Sequence, residues 1–173
     1  LARAVAPGGV VYGQNSAGFL KFVGDAWKAR LERPAMRGVV RVDRELDAPL
    51  PPEATGLDAV VMNVIYHDTV WLEVDRAAMN RAVFAALRPG GAYVIIDSSA
   101  RPGTGVADAK TLHRIDEAVV RSEVEAAGFK LAAEGAFLRN PEDARDWNSS
   151  PPAAAAAGRR GTSDRFVLRF VKP

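Results

Sequence analysis

The most informative segment of the sequence is Leu57-Asp58-Ala59-Val60-Val61-Met62-Asn63-Val64-Ile65-Tyr66-His67-Asp68. It follows Gly56 as an apolar run rich in valine, which is typical of a buried strand. It ends in side chains that hydrogen-bond or exchange protons: Asn63, Tyr66, His67 and Asp68. Because α/β proteins bind ligands at the carboxyl ends of their strands, the segment predicts a functional site. A core strand whose polar residues only complete a turn is the alternative.

Composition excludes several classes of function. The 173 residues suffice for one domain with a hydrophobic core. Lys and Arg (23) nearly balance Asp and Glu (21) and are scattered along the chain, so nucleic-acid binding is not expected. The absence of cysteine excludes disulfides and thiol catalysis. With only two histidines, His67 and His113, we expect no metal site, and no apolar stretch reaches the ~20 residues of a membrane span.

The rest of the chain alternates between strand and helix patterns. Strands are predicted near residues 10–14, 38–42, 58–64, 91–97, 129–137 and 165–171. Helices are predicted to begin at Ser16, Asp75 and Asp116, because each of these side chains can cap a helix. Residues at helical spacing in the first helix are predicted to face the core: Phe19, Val23, Trp27 and Leu31.

This order of elements predicts an α/β fold with a doubly wound, Rossmann-like, mostly parallel sheet and a C-terminal antiparallel hairpin. We expect residues 1–173 to form a single domain. Residues 139–164 are predicted to be an exposed connection between the last two strands, with one short helix near 143–147. Residues 1–6 resemble the last turns of a helix that stops at Pro7-Gly8-Gly9. We therefore expect that the N-terminal part of the domain is missing.

Three segments resemble successive motifs of the class I S-adenosylmethionine-dependent methyltransferases. They are Leu57 to Asn63, then Leu87-Arg88-Pro89-Gly90-Gly91 before a strand, then Glu123-Val124-Glu125-Ala126-Ala127-Gly128-Phe129. Each of these short motifs is common by itself, but their order and spacing together are quite specific for this family. Residues 66–68 and 112–116 are similar to a bacterial branch of predicted methyltransferases of unassigned substrate. The resemblance covers essentially the whole chain and implies S-adenosylmethionine as the cofactor; we expect a cytoplasmic enzyme.

The sequence departs from the family pattern in the cofactor site. The family's first strand and its glycine-rich loop, which cradles the methionine part of the cofactor, have no counterpart. We therefore expect weak cofactor binding, and a gap between the strands near 10–14 and 58–64. The family's acid that accepts bonds from the ribose hydroxyls corresponds to Asn15, which carries no charge. The resemblance also places Asp43 near the adenine, with a solvated loop acid as the open alternative, and Asn63 along the cofactor cleft by its main chain.

Methyl transfer is an in-line displacement, so the protein mainly aligns the reacting atoms. It supplies a base only when the acceptor loses a proton. His67 is the predicted base, because an imidazole titrates near ~6.5. Tyr66 is expected to stack on or hydrogen-bond the substrate, and Asp68 to orient His67; a purely structural His67 stays open. His113, beside Arg114, is expected to belong to a helix-entry network, so its loss should reduce turnover less.

Three functions stay open at this point. A methyltransferase acting on a small molecule is predicted, because the composition shows neither a nucleic-acid face nor a protein-docking surface. A nicotinamide-dependent oxidoreductase of the same sheet class is disfavoured by the hairpin after Phe129 and by the lack of a Tyr-x-x-x-Lys pair. A non-catalytic or cofactor-deficient binding domain is kept open by Asn15 and the missing loop. The sequence specifies neither the methyl acceptor nor the oligomeric state.

Overall fold

The computed structural model describes residues 1–5 and 8–173. Its strands are β1 (Val11–Asn15), β2 (Val39–Asp43), β3 (Leu57–Asn63), β4 (Leu87–Ser98), β5 (Lys130–Gly135) and β6 (Arg165–Val171). Its helices are α1 (Ala17–Leu31), α2 (Asp68–Trp71), α3 (Arg76–Ala86), α4 (Glu117–Ala126) and α5 (Pro151–Ala156), with a 3-10 turn at Pro34–Met36. The predicted helix end at Ala6 and Pro7 lies outside the described residues. The predicted alternation of strands and helices is confirmed.

The described strands form two sheets. β1 and β2 pair in parallel, and the other sheet has the order β3-β4-β6-β5. β3 and β4 are parallel, whereas β6 runs antiparallel to both β4 and β5, which confirms the predicted hairpin. A cleft of about 750 Å³ is lined by residues of both β1 and β3, which belong to different sheets. This arrangement agrees with the gap expected from the sequence.

Each predicted helix start is confirmed by a side-chain cap. The hydroxyl of Ser16 accepts from the backbone N–H of Phe19 at 3.3 Å. The carboxylates of Asp75 and Asp116 accept from backbone N–H groups two or three residues further on, at 2.8 and 3.0 Å. These bonds satisfy N–H groups that have no partner within the first helical turn. The caps are local, which is why the sequence alone could locate them.

The main core lies on the four-stranded sheet, where α3 and α4 pack. Its fully buried side chains include Met79, Tyr93, Ile95, Val120, Val124, Phe166 and Phe170. In contrast, none of the residues of α1, all of which the structure describes, is buried. The prediction that Phe19 and Trp27 lie in the core is therefore only half right, because they are half-buried. Within residues 1–5 and 8–173, no helix has both the length and the apolar character needed to cross a membrane.

The turn that precedes the predicted strand at 91–97 is a bulge inside β4. The pairing between β3 and β4 passes from Leu57 opposite Leu87 to Ala59 opposite Ala92. Four residues of β4 therefore stand against one residue of β3. Gly90 has a φ of 75°, a conformation that glycine adopts without steric cost. The strand consequently begins at Leu87, earlier than predicted.

Gly91→Ala is expected to destabilise the protein by about 1–3 kcal/mol through overpacking. An added Cβ would lie 2.8 Å from the carbonyl oxygen of Arg88 and 3.0 Å from that of Leu57, and backbone atoms cannot rotate away. Urea unfolding measures the loss. Gly24→Ala in α1 is the matched control, because its Cβ would meet nothing within 4 Å. Equal stability of the two variants would contradict this explanation.

The segment 139–164 differs from the predicted exposed connection. Its helix is α5, which begins at the pair Pro151-Pro152 and continues through alanines, rather than near 143–147. Asp164 and Ser149 are buried, and the side chain of Asp143 is 1% exposed. The reason is that Asp143 accepts hydrogen bonds from Arg114 and from its own neighbours, which forms a buried polar turn. The segment is therefore anchored to the domain at several points.

Candidate active site

Two of the three predicted cofactor residues line the cleft between β1 and β3. Asn15 ends β1 and Asn63 ends β3, and both contribute to the cleft wall. Asp43 stands opposite Asn15 in the parallel β1–β2 pair. It is exposed and bound by Arg41, whose Nε and Nη2 approach its carboxylate at 2.8 and 2.7 Å. Asp43 is thus next to the cleft-lining Asn15 but does not itself line the cleft.

Tyr66 lies in the core rather than at a surface that a substrate reaches. It has no exposed surface, and its hydroxyl donates to Glu123 at 2.8 Å. The same hydroxyl accepts from the Asn80 amide at 2.9 Å. Burial is the main reason that the pKa of Tyr66 is raised above its usual value. The expected contact between Tyr66 and a substrate would require the ring to leave this packing.

His67 is held by a carboxylate from the neighbouring strand. The chain leaves β3 through Val64, which has a φ of 54°, and reaches α2 with His67 at its N-terminus. The ring Nδ1 lies 2.7 Å from Asp97 Oδ1, and the backbone N–H donates to Asp97 Oδ2 at 2.9 Å. Asp97 is fully buried near the carboxyl end of β4. One side chain therefore fixes both the backbone and the ring of His67.

The other ring nitrogen of His67 meets two more polar side chains. His67 Nε2 lies 3.0 Å from Asp68 Oδ1 and 3.2 Å from His113 Nδ1. His113 Nδ1 in turn lies 3.3 Å from Asp68 Oδ1. The indole N–H of Trp71 donates to the same oxygen of Asp68 at 2.9 Å. Three atoms able to accept a proton or bind a cation thus form a closed triangle.

The electrostatic environment favours positive charge at His67. Burial alone would lower the pKa of this imidazole, but hydrogen bonds to Asp68 and Asp97 outweigh burial and raise the pKa to about 9. Burial would likewise raise the pKa of Asp68, yet the hydrogen bond to His67 lowers it. Asp68 therefore contacts the ring of His67, which is the contact that its predicted orienting role requires.

His113 belongs to this cluster, which corrects the expected helix-entry role. Asp116 caps α4, but the backbone at His113 has a φ of 51° and the two histidine rings lie edge to face with centroids 5.3 Å apart. The loop is held in place because Ser149 Oγ donates to the carbonyl of His113 at 2.7 Å. Its neighbour Arg114 is fully buried. The ring of His113 is therefore presented to His67 and not to the helix.

Sequence reasoning overlooked Asp97 and His113 as site residues. Asp97 ends the apolar run of β4, whose parallel pairing with β3 sets Asn63 opposite Ile96. The position of Asp97 at the end of a strand predicted to run parallel to β3 could therefore have indicated that it belongs to the site. For His113 there was none, because its approach to His67 depends on contacts between the loop and the 139–164 segment.

A second cavity adjoins the cleft. It measures about 300 Å³ and is lined by Ser149, Arg159, Arg160, Ser163 and Arg165 among others. Val64, the residue after β3, lines both cavities. The three guanidinium groups make this cavity suitable for a negatively charged group.

No protein-family model matches the sequence, and no curated protein sequence matches it. Solved structures do match. A SAM-dependent methyltransferase from Aquifex aeolicus superposes with a TM-score of 0.64 at 14% identity, over 99% of this chain and 73% of the other. The glycopeptide N-methyltransferase MtfA, complexed with S-adenosyl-L-homocysteine, gives 0.58 at 18% identity, over 99% and 86%. The chain has the class I S-adenosylmethionine-dependent methyltransferase fold.

This likeness confirms the predicted fold class but does not decide the reaction. The [4+2]-cyclase SpnF also matches, with a TM-score of 0.59 at 15% identity, over 99% of this chain and 69% of the other. One fold thus carries proteins named for different reactions, and the reaction has to be argued from the site.

Proposed function

We propose that this protein transfers a methyl group from S-adenosylmethionine to a small-molecule acceptor. The observation that carries the proposal is that Val64, three residues before His67, lines both cavities. We assign the cleft between β1 and β3 to the cofactor and the smaller cavity to the acceptor. His67 follows three residues after Val64, which lines both.

The cleft fits the proposed cofactor in size and in position. Its volume of about 750 Å³ lies within the range of small-molecule sites. Asn15 is proposed to bond the ribose hydroxyls, Asn63 to line the site by its main chain, and Asp43 to approach the adenine. The bound cofactor supplies an electrophilic methyl group. Because Asn15 carries no charge, its proposed bond to the ribose is weaker than that of a carboxylate, and the proposed binding is weak.

The acceptor side favours a small, negatively charged molecule. The cavity of about 300 Å³ is too small for a folded partner, and Arg159, Arg160 and Arg165 line it. His67 is proposed to take the proton that the acceptor loses, with Asp68 and Asp97 stabilising the resulting positive charge. Because the pKa of His67 is raised to about 9, only the neutral fraction of the ring acts as the base, and the rate is expected to rise with pH up to about that value. The buried ring of Tyr66 positions this turn rather than touching the acceptor.

Asn15→Asp is expected to tighten S-adenosylmethionine binding by about 5–10-fold, because a hydrogen bond to a charged group is stronger than one to a neutral amide. Calorimetry of the unmodified chain and the variant measures this. Asn148→Asp is the matched control: it makes the same amide-to-acid change outside the residues that line the cleft and should leave affinity unchanged.

The same titration separates the alternative functions. Binding of a nicotinamide dinucleotide in place of S-adenosylmethionine would support an oxidoreductase. Binding of neither, even by Asn15→Asp, would support a cofactor-deficient binding domain. Micromolar or tighter S-adenosylmethionine binding by the unmodified chain would contradict the expected weak binding, and Gly103 to Gly105 would be the first segment to examine as a cofactor-binding loop.

A further inference from the structure

The triangle formed by His67 Nε2, Asp68 Oδ1 and His113 Nδ1 has the dimensions of a metal site. Its sides measure 3.0, 3.2 and 3.3 Å. A cation bound at about 2.0–2.2 Å holds neighbouring ligand atoms about 2.8–3.1 Å apart in octahedral geometry and about 3.3–3.6 Å apart in tetrahedral geometry. All three atoms can therefore bind one ion with shifts of only a few tenths of an ångström.

Asp97 supplies the outer carboxylate that such sites use. It lies 2.7 Å from His67 Nδ1 and has no exposed surface, so it holds a proton on that nitrogen and leaves Nε2 as the ligand atom. Histidine ligands of metals regularly donate their second N–H to a carboxylate in this way. Trp71 plays a similar part by donating to the Asp68 carboxylate.

The charge of the cluster is also suited to a dication. Two carboxylates, Asp68 and Asp97, face two imidazoles that are neutral when they act as ligands. Among the described residues, no lysine or arginine forms an ion pair with His67, Asp68 or His113. A divalent cation in the triangle would balance the two negative charges.

We propose that His67, Asp68 and His113 bind a divalent transition-metal ion such as Zn²⁺, Co²⁺ or Fe²⁺. Two imidazoles and one carboxylate favour these ions over Mg²⁺ and Ca²⁺, which prefer oxygen ligands. The His113 side chain is 26% exposed, so the cluster reaches solvent on the side of His113. The sequence-based expectation of no metal site counted histidines alone and overlooked the aspartate as the third ligand.

The ion also bears on the proposed methyl transfer, and this step rests on the proposed function. While His67 Nε2 is a ligand, it cannot accept a proton. The ion would instead favour the deprotonated form of an acceptor bound to it. Metal binding itself requires neither cofactor nor acceptor, so it is tested separately from the reaction.

The direct test is a titration of the metal-free chain, prepared without a histidine tag, with Co²⁺ followed by visible absorption. We expect saturation at one equivalent, displacement of Co²⁺ by Zn²⁺, and no displacement by Mg²⁺. A wild-type protein that gives no absorption bands and no heat of binding with either ion would overturn the proposal.

Variants locate the ion. His113→Asn is expected to weaken binding at least about 100-fold, while asparagine tolerates the positive φ at this position. Asp97→Asn should weaken binding about 10–100-fold, as loss of an outer carboxylate usually does. Asp43→Asn, an identical change at an exposed site, should have no effect. Equal affinity of wild type and His113→Asn would overturn the proposal.

A second measurement needs no variant. Because the chain contains only two histidines, both ring spectra can be followed by NMR during Zn²⁺ addition. We expect the signals of both rings to change together and to stop changing at one equivalent. A change in one ring only, or in neither, would contradict a shared ion.

Discussion

His67→Ala is expected to lower the rate of methyl transfer by roughly 10²–10⁴-fold, the usual contribution of a positioned proton-transfer group. The ring is 2% exposed and is held between Asp97 and Asp68, so its orientation is fixed on both sides. The measurement is the formation of S-adenosylhomocysteine at saturating cofactor with an acceptor that supports turnover. Cofactor affinity should barely change, because the cluster lies outside the residues that line the cofactor cleft.

His113→Asn decides how His67 acts. If the two histidines share an ion, both substitutions should reduce turnover to a similar extent, whereas a base acting alone predicts a much smaller loss at His113. Weakened cofactor binding with unchanged turnover at saturation would reassign His67 to the cofactor pocket. A lowered melting temperature with unchanged turnover would make His67 a structural residue.

Asp143→Ala is expected to destabilise the protein by about 3–5 kcal/mol, the usual cost of leaving a buried charge without its partner. The side chains of Arg114 and Asp143 are 0% and 1% exposed and meet at 2.9 and 3.3 Å. Asp143 also accepts from Trp147 Nε1 at 2.7 Å and from the backbone N–H of Asp164 at 2.6 Å. Urea unfolding, with the slope compared between variants, measures the loss.

Asp58→Ala is the matched control for this prediction. Asp58 also pairs with an arginine, Arg88, at 2.8 Å, but both side chains are largely exposed. Such pairs contribute only about 0–1 kcal/mol. Similar losses for the two variants would show that the Arg114–Asp143 pair is not the anchor inferred here.

The pH dependence of stability should follow from the same contacts. Burial would raise the pKa of Asp143, but hydrogen bonds from Asp164, Arg145 and Arg114 outweigh burial and lower the pKa. The stabilisation is therefore present above the usual aspartate pKa near ~3.9 and is lost as the pH falls through the lowered value. Asp143→Ala should remove this component of acid unfolding.

The parts of the fold that depend on neighbouring residues could be read from the sequence. Ser16, Asp75 and Asp116 cap the helices they were predicted to cap, because a cap needs only a side chain and an N–H two or three residues away. The burial of α1 was overestimated, since periodicity shows which face is apolar but not how much surface is available to cover it. The start of β4 was missed because a bulge depends on the partner strand.

The sequence by itself determined the order of the elements and the placement of polar residues directly after β3, and the resemblance of three motifs implied the methyltransferase-like sheet. The order and the placement follow from hydrophobic periodicity and turn chemistry, which act over a few residues. Only the tertiary structure decided that His67 meets Asp97 and His113, which lie 30 and 46 positions away. Parallel pairing brings the end of β4 beside that of β3, and the buried Arg114–Asp143 pair fixes the loop that carries His113. Buried polar groups need hydrogen-bond partners, and here segments that are distant in the sequence supply them. A local sequence pattern does not reveal such partners.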